Sequence, residues 1–136
     1  MEIPVNYLAV LVAAIANYAF ATIWYALLFP KTWMRLTGIT EMKPKPMYII
    51  LIFIGSLILS FVLYHSIYFG NAYVKSGGVI GGLMGGFWGW LGYIAPITLT
   101  TKLWEKKPWG LWILDNSFWL ISLLIMGVIL SSWMKM

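Results

Sequence analysis

Four long apolar runs divide this chain and limit what it can fold into. They cover about residues 6–29, 47–69, 77–101 and 109–133. Each has roughly 23 residues, enough for a tilted helix to cross about 30 Å of hydrocarbon. Of the 136 residues, 62% are hydrophobic and 10% are charged, which is far too apolar for a soluble domain. The sequence therefore predicts an all-α fold, a four-helix transmembrane bundle forming one domain over residues 1–136.

The basic residues between the runs predict the orientation of the bundle. Seven lie in the loops 30–46 and 102–108, namely Lys31, Arg35, Lys43, Lys45, Lys102, Lys106 and Lys107. The opposite side holds only Lys75 and Lys135. Because basic loops stay in the cytoplasm, we expect those two loops inside and both termini on the outer side. The same rule explains the net charge of +5 without nucleic acid as a partner.

The glycines of residues 77–92 predict a bare helix face. Six of them fall within an arc of roughly 100° on a regular helix. This glycine stripe consists of Gly78, Gly81, Gly82, Gly85, Gly89 and Gly92. Such a face allows another helix to approach closely. We expect its partner to be the alanine face of the first run, formed by Ala9, Ala13 and Ala16. If the stripe is not used within the chain, it is expected to be an oligomer seam.

Polar residues inside the runs are few. Asn17 is expected to make an interhelical hydrogen bond near mid-membrane. Asp115 is the one acid inside a run, where a carboxylate is costly. The polar cluster expected around it comprises Asn116, Lys102, Thr98, Thr100, Trp24 and Tyr25. Asp115 is interpreted either as a structural carboxylate, paired with Lys102 or hydrogen-bonded to its neighbours, or as an ion or proton site.

Reactive chemistry is scarce in this sequence. The absence of cysteine excludes disulfides and thiolate metal sites, and the single histidine excludes a multi-histidine metal site within one chain. His65 is expected to be interfacial, with a pH sensor or an intersubunit metal ligand as alternatives. No phosphate loop follows the glycines. We therefore predict no enzyme activity, no catalytic residue, no metal and no cofactor.

Several motifs resemble a known family. They are residues 9–16, Trp24-Tyr25, Gly92 to Thr98 (Gly-Tyr-Ile-Ala-Pro-Ile-Thr), Leu103 to Trp109 (Leu-Trp-Glu-Lys-Lys-Pro-Trp) and Ile121 to Gly127. Through them nearly the whole chain resembles the domain-of-unknown-function family 1761, small four-span prokaryotic membrane proteins. The chain departs from the family at Thr22, where a glycine is usual. The resemblance implies a multi-pass protein of a prokaryotic cell (inner) membrane, but no activity and no catalytic residues.

Three functions fit these features. The favoured hypothesis is a non-enzymatic scaffold, an accessory subunit of a larger membrane complex, or a module that forms a homo-oligomer through the glycine-rich third run. The second is a small transporter or channel that uses Asp115. The third is a protein that binds a lipid, quinone or pigment in an aromatic-lined groove.

Overall fold

The computed structural model describes residues 4–40 and 45–134, and nearly all of this part of the chain is helical. The α-helices are α1 (Tyr7–Thr22), α2 (Pro30–Thr37), α3 (Pro46–Val74), α4 (Gly78–Gly89), α5 (Ala95–Trp104) and α6 (Trp109–Ser132). Two π-helical turns extend helices, π1 (Ile23–Leu28) after α1 and π2 (Trp90–Ile94) between α4 and α5. No strand occurs in residues 4–40 and 45–134. The predicted all-α fold is confirmed.

Within the described residues, three helical stretches are long and apolar enough to cross a membrane. They are Tyr7–Leu28, Pro46–Val74 and Trp109–Ser132, with mean hydropathies of 1.7, 2.5 and 2.0. The remaining predicted run is also helical, but π2 divides it into α4 and α5. By length and composition, the chain therefore has the helices of a membrane protein.

Each π-helical turn ends two positions before a proline, π1 before Pro30 and π2 before Pro96. Proline donates no backbone hydrogen bond, and its ring clashes with the carbonyl four residues earlier. In π1, the backbone N–H of Phe29 instead bonds to the carbonyl five residues earlier, that of Trp24, at 2.9 Å. Such a turn contains an extra residue, so it changes which side chains face a neighbouring helix.

The core forms where α1 packs against α3 and α6. Its fully buried side chains include Ala9, Ala13, Tyr64, Met126 and Leu130. Asn17 joins the same three helices through hydrogen bonds. Its amide donates to the Ser56 hydroxyl of α3 at 2.8 Å and accepts from the Ser122 hydroxyl of α6 at 2.5 Å. All three side chains are buried, so Asn17 makes an interhelical contact in the centre of the bundle.

Two glycines of α4 bring its backbone against α6. A Cβ on Gly82 would collide with the backbone of Gly127, and a Cβ on Gly86 would collide with that of Leu123. The two α4 glycines are four residues apart and therefore lie on one line of the helix. The contact is also reciprocal, because a Cβ on Gly127 would collide with the Gly82 carbonyl. Gly86 is outside the predicted stripe, yet it is part of the closest helix contact.

A second pair of glycines lies against α3. A Cβ on Gly81 would collide with the side chain of Asn71, and one on Gly85 would collide with Ile67. The Asn71 amide is buried and donates to the Ser131 hydroxyl of α6 at 3.0 Å, so Gly81 leaves room for a hydrogen bond between α3 and α6. The other members of the glycine stripe have no atom within 4 Å of a built Cβ; these are Gly78, Gly89 and Gly92.

The expected partner of the glycine stripe is therefore corrected from α1 to α6 and α3. Ala9 and Ala13 are buried where α1 packs against those two helices, and Ala16 is only partly buried. Helix backbones approach most closely where small residues lie at the contact. Here Gly127 of α6 faces Gly82 of α4, whereas Ala9 and Ala13 of α1 belong to the core with α3 and α6.

We expect Gly82→Ala to destabilise the protein, because the new methyl group would collide with the Gly127 backbone. Overpacking of this kind costs about 1–3 kcal/mol. The measurement is thermal unfolding of the purified protein in detergent. Gly89→Ala is the matched control, since its methyl group would enter open space. Equal melting temperatures for the two variants would contradict the close α4–α6 contact.

Candidate functional site

Two consecutive residues of α6, Asp115 and Asn116, lie at the centre of the polar cluster. The Tyr25 hydroxyl donates a hydrogen bond of 2.6 Å to Oδ1 of Asp115. The Trp90 indole N–H donates one of 3.2 Å to Oδ1 of Asn116. Tyr25 belongs to π1 and Trp90 belongs to π2, so each π-helical turn supplies one aromatic donor to α6. Turns of this kind are frequent at functional sites.

Asn116 has all its polar atoms engaged within the protein. Besides accepting from Trp90, its amide nitrogen donates to the Thr98 hydroxyl at 3.0 Å and to the Trp112 carbonyl at 3.0 Å. The side chain is only 3% exposed. A buried amide with this set of partners has a structural role, because a ligand would have to displace one of them.

Asp115 is bound less completely and lies under an aromatic cover. The Tyr25 ring contacts Phe118 of α6, with centroids 5.2 Å apart, and the edge of Trp33 of α2, with centroids 6.5 Å apart. Leu36 fixes the same helix α2 against Gly110 of α6. The amphipathic helix α2 is thus folded against the bundle beside the Tyr25–Asp115 pair.

Three residues of the predicted cluster make other contacts. The Trp24 indole N–H is buried and has no hydrogen-bond partner within the described residues. The Thr100 hydroxyl donates to the Pro96 carbonyl of its own helix at 3.0 Å. The Lys102 ammonium lies 3.8 Å from the centroid of the Trp109 ring, a cation–π contact, instead of pairing with Asp115.

A small polar cavity lies between α5 and α6, next to Asp115. Its volume is about 190 Å³. Its charged lining consists of Lys102, Glu105, Lys107 and Asp115, two bases and two acids. Lys102 and Asp115 thus line one cavity without forming an ion pair. We call this space the polar cavity.

A larger groove lies between α3 and the α4–π2 stretch. Its volume is about 730 Å³, and Leu59, Val62 and Ile67 of α3 form one wall. The other wall contains Gly85, Gly89 and Gly92, together with Met84, Trp88 and Tyr93. Two of the open glycines of the stripe, Gly89 and Gly92, therefore line this space, which we call the α3–α4 groove. It exists because Gly89 and Gly92 have no side chains to fill it.

His65 is placed away from both spaces. Its Nδ1 lies 2.8 Å from the Phe61 carbonyl, and its ring packs against that of Phe61 with centroids 4.5 Å apart. The described residues contain no group of three or more His, Cys, Asp or Glu side chains that could hold a metal. These contacts make His65 a residue that packs on its own helix.

Sequence reasoning missed Trp90, Trp33 and Phe118, which complete the surroundings of Asp115 and Asn116. The sequence does contain a signal for Trp90. Trp90 lies shortly before Pro96, as Tyr25 lies shortly before Pro30, and each proline disturbs the helical turn that precedes it. Trp33 and Phe118 have no comparable signal, because their contacts with Tyr25 depend on how α2 and α6 pack against π1.

Comparison with known proteins identifies a family and nothing further. A family model described as "Protein of unknown function (DUF1761)" matches residues 8–131, which is nearly the whole chain. No curated protein and no solved structure matches. The suspected resemblance is therefore confirmed, and the description that comes with it names no activity.

We expect Tyr25→Phe to destabilise the protein, because it removes the donor to Asp115. Interhelical hydrogen bonds in membranes contribute about 0.6–1.7 kcal/mol. Asp115→Asn keeps an oxygen that can accept this bond and should cost less. Thermal unfolding in detergent measures both variants, with Tyr7→Phe as the control because Tyr7 is 70% exposed. A loss for Tyr7→Phe as large as that for Tyr25→Phe would contradict the assignment.

Proposed function

The chain belongs to the family described as Protein of unknown function (DUF1761), and from its structure we propose that it is a non-enzymatic membrane protein that holds a hydrophobic molecule in the α3–α4 groove. The molecule is of the class of a lipid acyl chain or an isoprenoid tail. The groove itself is the observation that carries this proposal, through its size, its lining and its access.

Size and lining support a small ligand. Ligand pockets in proteins measure about 300–1,000 Å³ and are mostly apolar with few polar groups. The α3–α4 groove, at about 730 Å³, lies within this range. Its walls are aliphatic side chains and glycine backbone, with Trp88 and Tyr93 as aromatic members. Aromatic rings add favourable contacts with a flat or extended hydrophobic molecule.

Access to the groove is lateral. Val62, Trp88 and Tyr93 line it and are also 55%, 62% and 73% exposed, so they lie at its open edge. A hydrophobic molecule dissolved in the bilayer can therefore enter from the side without crossing the protein. Soluble substrates would have to leave water to reach this opening.

The membrane arrangement is part of the proposal. The continuous helix from Gly78 to Trp104 is long enough to form a fourth span beside the three apolar helices. Basic residues at the α2 and α5–α6 ends support cytoplasmic loops and outer termini in the inner membrane of a prokaryote. Two of the basic residues from which this orientation is predicted, Lys43 and Lys135, lie outside the described residues.

The hypothesis that the glycine stripe forms a contact between copies of the chain is weakened. Gly81, Gly82 and Gly85 are used within the chain, together with Gly86. A second copy would have to use the remaining open glycines, Gly78, Gly89 and Gly92, of which the last two line the same groove. A scaffold or accessory role in a larger complex stays compatible with a lipid-filled groove.

A second candidate function, ion or proton transport through Asp115, is favoured by one observation. Asp115 lines the polar cavity, and among the described residues its hydrogen-bond partner is Tyr25, which donates to Oδ1. An ionisable group inside a span is a functional hypothesis by default. Loss of proton-coupled flux in proteoliposomes with Asp115→Asn would favour this second candidate over the first.

We expect Gly89→Leu to fill the α3–α4 groove and weaken binding of cis-parinaric acid, a fluorescent acyl chain, by about tenfold. Energy transfer from tryptophan to the probe measures the affinity. Gly55→Leu is the matched control, since Gly55 lies in α3, also faces open space and does not line the groove. Unchanged affinity in Gly89→Leu would contradict the proposal. A dimer in native mass spectrometry that only Gly89→Leu abolishes would assign the groove to a second copy.

We also expect two single-cysteine variants to be labelled from opposite sides of the membrane. The chain has no cysteine, so each variant carries one labelling site. A membrane-impermeant maleimide should label Ser76→Cys in intact cells, and Glu105→Cys only after lysis. The reverse pattern would invert the proposed orientation. Labelling of both in intact cells would contradict four spans, because the two positions flank the α4–α5 helix.

A further inference from the structure

The polar cavity has a balanced set of charges that the bundle does not need for its packing. Lys102 and Lys107 come from α5 and the following loop, Glu105 comes from the same loop, and Asp115 comes from α6. Lys102 and Asp115 each have another partner, the Trp109 ring and the Tyr25 hydroxyl. A space lined by two cations and two carboxylates is complementary to a ligand that carries both signs of charge.

Asp115 forms the acidic end of this space. In the described part of the chain its one hydrogen-bond partner is Tyr25, through Oδ1, so the second oxygen remains an acceptor for a ligand. The neighbouring Asn116 and Thr98 bond to each other and do not supply a donor for it. A carboxylate out of bulk water requires a donor or a cation, since an unpaired one is costly. A primary ammonium group provides both.

Lys102 and Lys107 line the cavity from the end of α5 and the loop after it, with Glu105 between them in the sequence. The Lys102 ammonium is held over Trp109, which is 55% exposed, and Trp104 beside it is 83% exposed. In the arrangement proposed above, exposed tryptophans at a helix end lie at the level of lipid headgroups. Lysine ammonium groups at this depth are point charges that bind phosphate.

We propose that the polar cavity binds an amine-bearing phosphate, the chemistry of a phosphoethanolamine headgroup, with its ammonium at Asp115 and its phosphate at Lys102 and Lys107. The cavity volume of about 190 Å³ equals that of roughly six liquid water molecules at about 30 Å³ each, which leaves room for a small polar headgroup of several non-hydrogen atoms. A choline headgroup has no N–H to donate to Asp115, and a glycerol headgroup has no cation. The proposal does not depend on the α3–α4 groove, which lies on the α3 side of the third run.

The test is competition among lipids for the purified, delipidated full chain, read by native mass spectrometry. Phosphatidylethanolamine, phosphatidylcholine and phosphatidylglycerol with identical acyl chains are added in equal amounts. We expect phosphatidylethanolamine to be retained about tenfold over phosphatidylcholine, the factor given by one charged hydrogen bond. Asp115→Asn should remove this preference while keeping the acceptor for Tyr25. Lys45→Gln, at the start of α3, is the control and should keep it.

A second variant distinguishes loss of binding from loss of folding. Lys107→Gln changes an exposed loop residue and should weaken binding of phosphatidylethanolamine without changing the melting temperature. Soluble phosphoethanolamine is then added as a competitor. If soluble phosphoethanolamine displaces the lipid, the proposal holds and a free compound can supply the same chemistry. If it does not displace the lipid, the proposal holds with the lipid itself as the ligand. Equal retention of the three lipids, or a preference that survives both variants, would overturn the proposal.

Discussion

The backbone contact between α4 and α6 determines where the other helices can lie. Since Gly82 and Gly127 touch through their backbones, α6 takes one side of α4 completely. The adjacent line of glycines then remains for α3, which contacts α4 through Asn71 and Ile67. Beyond Gly85, no neighbouring atom of the described residues lies within 4 Å of a Cβ built on Gly89 or Gly92, and both glycines line the α3–α4 groove. The same sequence feature thus produces both the backbone contact with α6 and this groove.

Two prolines organise the polar end of the bundle in a comparable way. Each is preceded by a π-helical turn, and each turn directs an aromatic donor, Tyr25 or Trp90, to adjacent residues of α6. A regular helix would place these rings differently, because an extra residue shifts the side chains that follow by about 100°. The prolines are therefore part of the site, although neither contacts Asp115.

The sequence predicts the helical class and the closeness of a glycine contact, because each depends on local composition and periodicity. It does not predict the partner of the glycine stripe. Gly127 is one of two glycines in its run, the other being Gly110, and only its position opposite Gly82 makes it the matching surface. The predicted arc also assumes a regular helix to Gly92, whereas π2 begins at Trp90. For the same reason, sequence alone cannot choose between Trp24 and Tyr25 as the donor to Asp115.

Asn116 and Asp115 are adjacent in the sequence but differ in how many of their polar atoms have hydrogen-bond partners. Asn116 is buried, and both its oxygen and its nitrogen have protein partners, so it stabilises the junction of α5, π2 and α6. Asp115 is partly buried, has Tyr25 as its partner and borders a cavity with two lysines. Replacing only Asp115 by an apolar side chain would leave the Tyr25 hydroxyl without its acceptor, so a loss of stability in that variant alone does not separate a structural role from a binding role. The proposed binding of a ligand with both signs of charge rests instead on the cavity beside Asp115 and on the charges that line it.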